Sequence, residues 1–352
     1  MKESREQLPA TSFFGCLMGT AIGDALGLPR EGLSRKRADK IFGGPPLRHR
    51  FFFGRGMVSD DTDHAVMTAQ ALIASGGDVE KFRSALAWRL RWWLLSLPAG
   101  IGLATLRACF KLWLGFPPTR SGVFSAGNGA VMRAAILGAY ECHDDDKLWQ
   151  LVQASSRITH TDPRAEQGAM AVALAAKYNV TRDDNTFQNP EYLALTIPFV
   201  VDDDLAAKLR LAVLRADEGA SAEFFANELG LQRGVSGFVN HTVPVAIFCW
   251  LRHRHDFRAA LEAAICLGGD TDTVGAIVGG LVGTGWPAVT WPAEWELGSS
   301  HLKLVAKHLA DSRSSRQPAA PAYRPWPLVT LRNACFFAVV LFHGFRRLLP
   351  PY

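Results

Sequence analysis

The helical period dominates the pattern of hydrophobic and polar positions. In FFGCLMGTAIGDALG, residues 13–27, the residues Phe14, Leu17, Met18, Ala21, Ile22 and Ala25 share one broad face. The same stretch sets Gly15, Gly19, Gly23 and Gly27 four residues apart. Each glycine inside a helix costs about 1 kcal/mol relative to alanine, so four in register need a structural return. A smooth stripe that admits a second helix at close range supplies one. The run after residue 270, TDTVGAIVGGLVG, repeats the device with Gly275, Gly279 and Gly283. Charges interrupt both runs, so they predict two buried central helices packed on each other rather than a membrane pair.

Further helices are expected over 62–75, 80–95, 103–114, 129–142, 147–156, 164–178, 203–217, 242–252, 256–267 and 299–311. Strand-like alternation is almost absent, and 117–127, 180–191 and 231–237 read as loops. The expectation is an all-α, compact globule of about a dozen helices. Its core domain spans 1–312, followed by a Pro/Ala/Ser-rich linker over 313–327 and a basic, apolar helical tail over 328–352.

Composition changes this picture little. A chain of 352 residues, 48% hydrophobic and 20% charged, is ordinary for a soluble globular protein. The six cysteines are scattered without metal-binding spacing, which predicts reduced thiols. With a polar N-terminus lacking an apolar signal core, this predicts a cytoplasmic protein. The net charge of +5 is carried by the tail, where residues 313–352 hold six arginines and no Lys, Asp or Glu. The body is close to neutral, which argues against nucleic acid as a partner. The uncharged stretch 333–345 is too short to cross a bilayer. The tail is expected to dock on the body or a second subunit, with a peripheral contact to an anionic membrane as the alternative.

Candidate chemistry sits in two acidic clusters, SDDT at 59–62 and GGDTDT at 268–273, each where a helix begins. Capping explains one acid in each and leaves the second to repel it. Ser59, Asp60, Asp61, Asp270, Asp272 and Thr273 offer only hard oxygen donors, suited to Mg²⁺, Mn²⁺ or Ca²⁺ rather than zinc. Four carboxylates exceed what one Mg²⁺ takes, so two ions are expected. GDALGLPRE (23–31) ends a buried helix in Glu31. SAGNGAVMR (125–133) is a glycine-rich loop entering a helix, whose N–H groups suit a phosphate. RITHTDPRAEQGA (157–169) sets His160 between two helices.

Taken together and in this order, these five stretches resemble the ADP-ribosylglycohydrolase family, over about residues 10–300. The resemblance implies an all-α fold holding two Mg²⁺, with Mn²⁺ as the alternative, at the base of an ADP-ribose cleft. It implies cleavage between the ribose C1″ and a modified acceptor, a protein or a small molecule, with nucleic acid a partner only as such an acceptor. Ser59, Asp60, Asp61, Asp270, Asp272 and Thr273 would hold the metals. Catalysis would fall to Glu31, Asp60 and Asp61. Ser125, Gly127, Asn128 and Gly129 would bind phosphates and ribose, His160 would contact the ADP-ribose, and Phe238 would stack on the adenine.

One position departs from that pattern. Arginine-directed members carry an aspartate near the guanidinium where this chain has Gly100, within LPAGIGLA (97–104). The acceptor therefore stays open among arginine, serine, nucleic acid and small molecules. A silent or structural protein on the same fold, and a Mg²⁺-dependent phosphohydrolase, are the alternatives to an ADP-ribosyl hydrolase.

Overall fold

The computed structural model describes residues 10–182 and 186–346. These form sixteen α-helices, joined by short 3₁₀ turns and one two-stranded ribbon. The all-α expectation holds, with more helices than the period revealed. Helix α1 (Ala10–Gly27) runs through the centre and is almost wholly buried. The helices α2 (Arg35–Phe42), α3 (Asp60–Ser75), α4 (Val79–Leu95) and α5 (Leu103–Trp113) follow, then α6 (Ala135–Tyr140), α7 (Asp145–Arg157) and α8 (Pro163–Thr181). After α9 (Asn189–Thr196), α10 (Asp203–Asp217) and α11 (Ala222–Glu228) come α12 (Val239–Arg252) and α13 (Phe257–Ile265). The chain closes with α14 (Thr271–Gly283), α15 (Ser300–Ser315) and α16 (Trp326–Arg346).

The glycine stripes do what their spacing implied. Helices α1 and α14 run antiparallel with their backbones in contact. A methyl group on Gly15, Gly19 or Gly23 would lie inside the carbonyl of Gly283, Gly279 or Gly275 respectively. A Cβ on Gly275 would come within 2.6 Å of the Gly23 carbonyl oxygen, closer than real Cβ contacts run. At the end of the seam Thr271 Oγ1 donates to the Gly27 carbonyl at 2.8 Å. The entropy cost of the glycines is offset by dense contact between helix backbones. The seam also carries the chain's two acidic motifs to one place, because Asp24, in the last turn of α1, lies beside the start of α14 and binds the start of α3.

Three helices escaped the sequence pattern. α2, RKRADKIF, buries only Ala38 and so has no apolar stripe to display. α9 and α11 are eight and seven residues long, too short for a period to register. The expected helix at 129–142 is instead a 3₁₀ segment, Asn128–Arg133, followed by α6. There the buried guanidinium of Arg133 reaches back to the Gly129 carbonyl at 3.0 Å.

The ribbon pairs Leu33–Ser34 with Gly268–Gly269, antiparallel. Val235 adds a bridge to Gly269. Gly268 and Gly269 both adopt positive φ, which lets this crossing tighten. Glu31, before the first strand, and Asp270, after the second, are thereby set at the same end of the ribbon.

Beyond α15 the chain does not hang free. Ala319 donates to the Ile73 carbonyl at 2.9 Å, and Gln70 holds the Ala322 carbonyl at 2.7 Å. Helix α16 then lies along the body through Arg332, Asn333, Phe336 and His343.

Candidate functional site

The two acidic motifs meet at the N-termini of α3 and α14. Ser59 caps α3, accepting from the Asp61 N–H at 3.3 Å. Its own N–H is held by both carboxylate oxygens of Asp24, at 2.9 and 3.0 Å. Asp24 also accepts from the Thr62 N–H at 3.2 Å and from its hydroxyl at 2.5 Å. This fully buried aspartate ties α1 to the start of α3 and was not among the sequence candidates. It sits inside GDALGLPRE, where it reads as one more helix residue, and its partners lie far along the chain.

From the other side, Thr273 Oγ1 donates to Asp61 Oδ2 at 3.2 Å, as does Ser59 Oγ. The Thr273 N–H caps onto Asp272 Oδ1 at 3.0 Å. Asp270 accepts from Asn128 Nδ2 at 2.6 Å. Thus Ser59, Asp60, Asp61, Asp270, Asp272 and Thr273 are brought together, as the motifs implied, with Asp24 behind them.

The electrostatics are those of carboxylates without a counterion. Burial pushes the Asp60, Asp61 and Asp272 carboxyls well above the ordinary range, and the neighbouring acids raise them further. For Asp60 those neighbours include Asp24, Glu31 and Asp63; for Asp272 they include Glu31, Asp270 and Asp61. Asp24 rises to about 6 through burial, opposed by its four hydrogen bonds. Among the described residues no Lys or Arg forms an ion pair with Asp24, Asp60, Asp61, Asp270 or Asp272. Arg332 of α16, whose charge reaches Asp24, is spent on Asp63 through bonds of 2.9 and 2.6 Å.

The donor set fits a hard divalent cation. Asp61 Oδ1 is buried without a hydrogen-bond partner, an orphan that a cation would satisfy. Among the described residues no three His, Cys, Asp or Glu side chains converge on a single point. The acids form an open cluster, and which oxygens would share an ion is inferred from their chemistry. Glu31 stands exposed at the rim, close enough for its charge to act on Asp60 and Asp272.

The glycine-rich loop forms one wall. Gly127 bridges Phe238, the Asn128 N–H donates to the Gly237 carbonyl at 2.9 Å, and the Val239 N–H to that of Ala126. Asn128 joins this wall to the acids, since its side chain contacts both Asp270 and Thr242. The Gly127 N–H is taken by Ser125 Oγ at 3.2 Å. With Asn128 also bonded, the loop does not offer an unbroken row of N–H donors to an anion.

His160 packs against the loop glycines, where a Cβ on Gly129 would lie 2.9 Å from its ring. Burial and the Arg133 cation hold His160 down to about 3, so the ring is neutral. Its Nδ1 lies 2.9 Å from Thr159 Oγ1. Arg133 braces the loop from behind, bonded to Ser155, Thr159, Gly129 and His64. It was absent from the sequence candidates because an arginine in a helical run ordinarily reads as surface. Phe238 is half-buried, with the Arg164 guanidinium 5.3 Å above its ring. Gly100 faces the acids: a Cβ there would lie 3.8 Å from Asp60 Oδ1, and its φ of 83° resists any side chain.

Fold and site together define an all-helical protein whose two central helices deliver buried oxygen donors beside a glycine-rich, histidine-backed loop. The model of the ADP-ribosylglycohydrolase family matches residues 6–319, and the chain belongs to that family. An uncharacterized protein of Archaeoglobus fulgidus is 32% identical over 289 residues, covering 80% of this chain and 90% of its own. The ADP-ribosylarginine hydrolase Tri1 of Pseudomonas putida is 27% identical over 319 residues, 84% of this chain and 77% of its own. A solved chain of an ADP-ribosylglycohydrolase-related protein complex superposes with a TM-score of 0.62 at 27% identity. It covers 88% of this chain and 99% of its own. The family and the named relatives support hydrolysis of ADP-ribosyl bonds in general.

Proposed function

We propose that the protein is a divalent-cation-dependent hydrolase that releases ADP-ribose by cleaving the bond between ribose C1″ and a modified acceptor. The observation that carries this is the cluster of buried carboxylates from α1, α3 and α14, with which no Lys or Arg among the described residues forms an ion pair. Ser59, Asp60, Asp61, Asp270, Asp272 and Thr273 would hold two Mg²⁺, or Mn²⁺. Such ions supply a chelate for the ribose hydroxyls and a bound water of lowered pKa. Loss of the leaving group builds positive charge on the anomeric carbon, which the surrounding carboxylates stabilise. Glu31, at the rim, or Asp61 takes the proton of the attacking water. Ser125, Gly127, Asn128 and Gly129 position phosphates and ribose, with neutral His160 as a hydrogen-bonding contact and Phe238 as the platform for the adenine.

The acceptor side favours an oxygen-linked over an arginine-linked substrate. Gly100 contributes no carboxylate, and Asp63 is already paired with Arg332. A guanidinium entering there would meet a resident cation and no free partner. ADP-ribosylserine and ADP-ribosylarginine peptides, each incubated with Mg²⁺ and with chelator, test both parts. The expected result is Mg²⁺-dependent ADP-ribose release, faster from serine by about tenfold or more, and lost in Asp272→Asn. Equal release in chelator would remove the metal; inorganic phosphate as the product would make the enzyme a phosphohydrolase. No release and no Mg²⁺-dependent ADP-ribose binding would leave a structural protein.

A further inference from the structure

Helix α16 is amphipathic the wrong way round for a soluble protein. Its polar side chains face the body: Arg332 pairs with Asp63, Asn333 Nδ2 donates to the Ser96 carbonyl at 2.9 Å, and His343 lies 3.0 Å from the Pro29 carbonyl. Phe336 is the apolar anchor, packed with Leu28, Phe51 and Ala99. Outward, every exposed position from Leu331 to Phe345 is apolar. Phe337, Leu341, Phe342 and Phe345 are each between 45% and 72% exposed.

That surface does not stop at the helix. Leu328, Leu331 and Cys335 line an open groove of about 1050 Å³ whose opposite wall carries Trp88 and Trp92 of α4. Trp92 in turn meets Trp113 of α5 edge-on. Contiguous exposed apolar surface on this scale marks an interaction site.

The rim is cationic, and Asp63, the acid among the groove's lining residues, is neutralised by Arg332. Residues 81–140 contain no Asp or Glu, and neither do residues 313–346. Arg89, Arg91, Arg107 and Lys111 come from the first segment and Arg324 from the second. Among the described residues no carboxylate pairs with any of them. Arg91 lies 4.7 Å over the Trp88 ring and Arg89 5.6 Å over that of Tyr323, so the cations and aromatics interleave.

We propose that this face, the outward side of α16 with the tryptophan-bearing flank of α4 and α5, seats the protein on an anionic lipid surface. Apolar residues would enter the acyl boundary, tryptophans the headgroup layer, and arginines would meet lipid phosphates. A second copy of the chain is a poorer occupant. A two-fold interface sets a patch against itself, and here that would oppose two basic rims. Crossing the bilayer is disfavoured as well, since it would strip Arg332, Asn333 and His343 from their partners and leave Asp63 unpaired. The proposal is independent of the hydrolase reading.

The test is co-sedimentation of the full chain with vesicles of phosphatidylcholine alone and of phosphatidylcholine mixed with phosphatidylglycerol. Binding is expected to the mixed vesicles only, weakened by salt. Leu341→Asp and Phe342→Asp, both on the exposed side, should each reduce it by about tenfold or more with circular dichroism unchanged. Arg91→Glu, which leaves α16 intact, should reduce it severalfold. The proposal fails if the protein stays in solution with both vesicle types, or if binding is indifferent to these variants. It fails equally if the chain is a dimer that Leu341→Asp converts to a monomer without any vesicle binding.

Discussion

Two regions of the molecule carry unbalanced charge of opposite sign, and they are built differently. The centre gathers Asp60, Asp61, Asp270 and Asp272 at the N-termini of α3 and α14 against Asp24 in the last turn of α1, with Asp24, Asp61, Asp270 and Asp272 placed by hydrogen bonds. The flank of α4, α5 and α16 spreads arginines and exposed aromatics over a surface whose few acids, Glu80 and Asp63, are each paired with an arginine. A buried like-charge cluster must be over-determined by its surroundings, because every acid raises the cost of the next. An exposed cationic face needs no such scaffold, since water screens it. The centre is therefore rigid and specific, suited to small ions and a defined substrate. The flank is suited to a partner with little shape of its own.

The sharpest way to break the centre is to part the helices that assemble it. Gly23→Ala places a methyl where the Gly275 carbonyl stands, and two backbones cannot yield as a side-chain end can. The expected cost is about 3 kcal/mol or more, read as a fall of several degrees in Tm by calorimetry. Hydrolysis should fall with it, since Asp24 follows in the chain. A Tm within a degree of wild type would mean the seam is looser than its geometry.

Asp61→Asn breaks the same centre by charge alone. Asn keeps an oxygen for Ser59 and Thr273 and removes one member of the repelling set. The sign is opposite to the glycine variant. In chelator the variant should be more stable than wild type, by on the order of 1 kcal/mol. It should lose most of the Tm gain that Mg²⁺ gives wild type through mass action. The pH dependence follows from Asp24, raised from 3.8 to about 6 by burial. A raised acid holds its proton longer folded than unfolded, so the metal-free protein loses stability as pH climbs through that window. Buried neutral His160 adds stability as pH rises over the same range. Thermal melts in chelator from pH 4 to 7 should therefore compare wild type with Asp24→Asn. An identical pH slope in the two would contradict the assignment.

How much of this was visible beforehand follows from what a linear pattern can hold. The four-residue glycine spacing and the two acid doublets are local, so the seam and most of the centre were legible. Asp24 was not, because a helix residue gains its meaning only when the N-terminus of α3 folds against it. Arg133 was hidden for a related reason, its bonds coming from Ser155, Thr159 and His64. The cationic flank was obscured by averaging. Acids elsewhere in the body cancel residues 81–140 in any net charge, and only folding lays that segment beside the tail.

The flank yields the smallest effect on the fold, and that contrast tests whether the two regions differ as described. Phe342→Asp changes a side chain that is 72% exposed, so thermal stability should move by no more than about 0.5 kcal/mol. Phe336→Asp, on the opposite side of the same helix, buries a carboxylate among Leu28, Phe51 and Ala99. It should cost about 3 kcal/mol or more, or detach α16 and expose the groove. If both were equally mild, the helix would not be docked at all. If both were equally severe, the outward face would already be covered by protein, since only burial makes a carboxylate there expensive. A mild Phe342→Asp beside a severe Phe336→Asp leaves one arrangement: a helix held by its polar side, with its apolar side free for a partner.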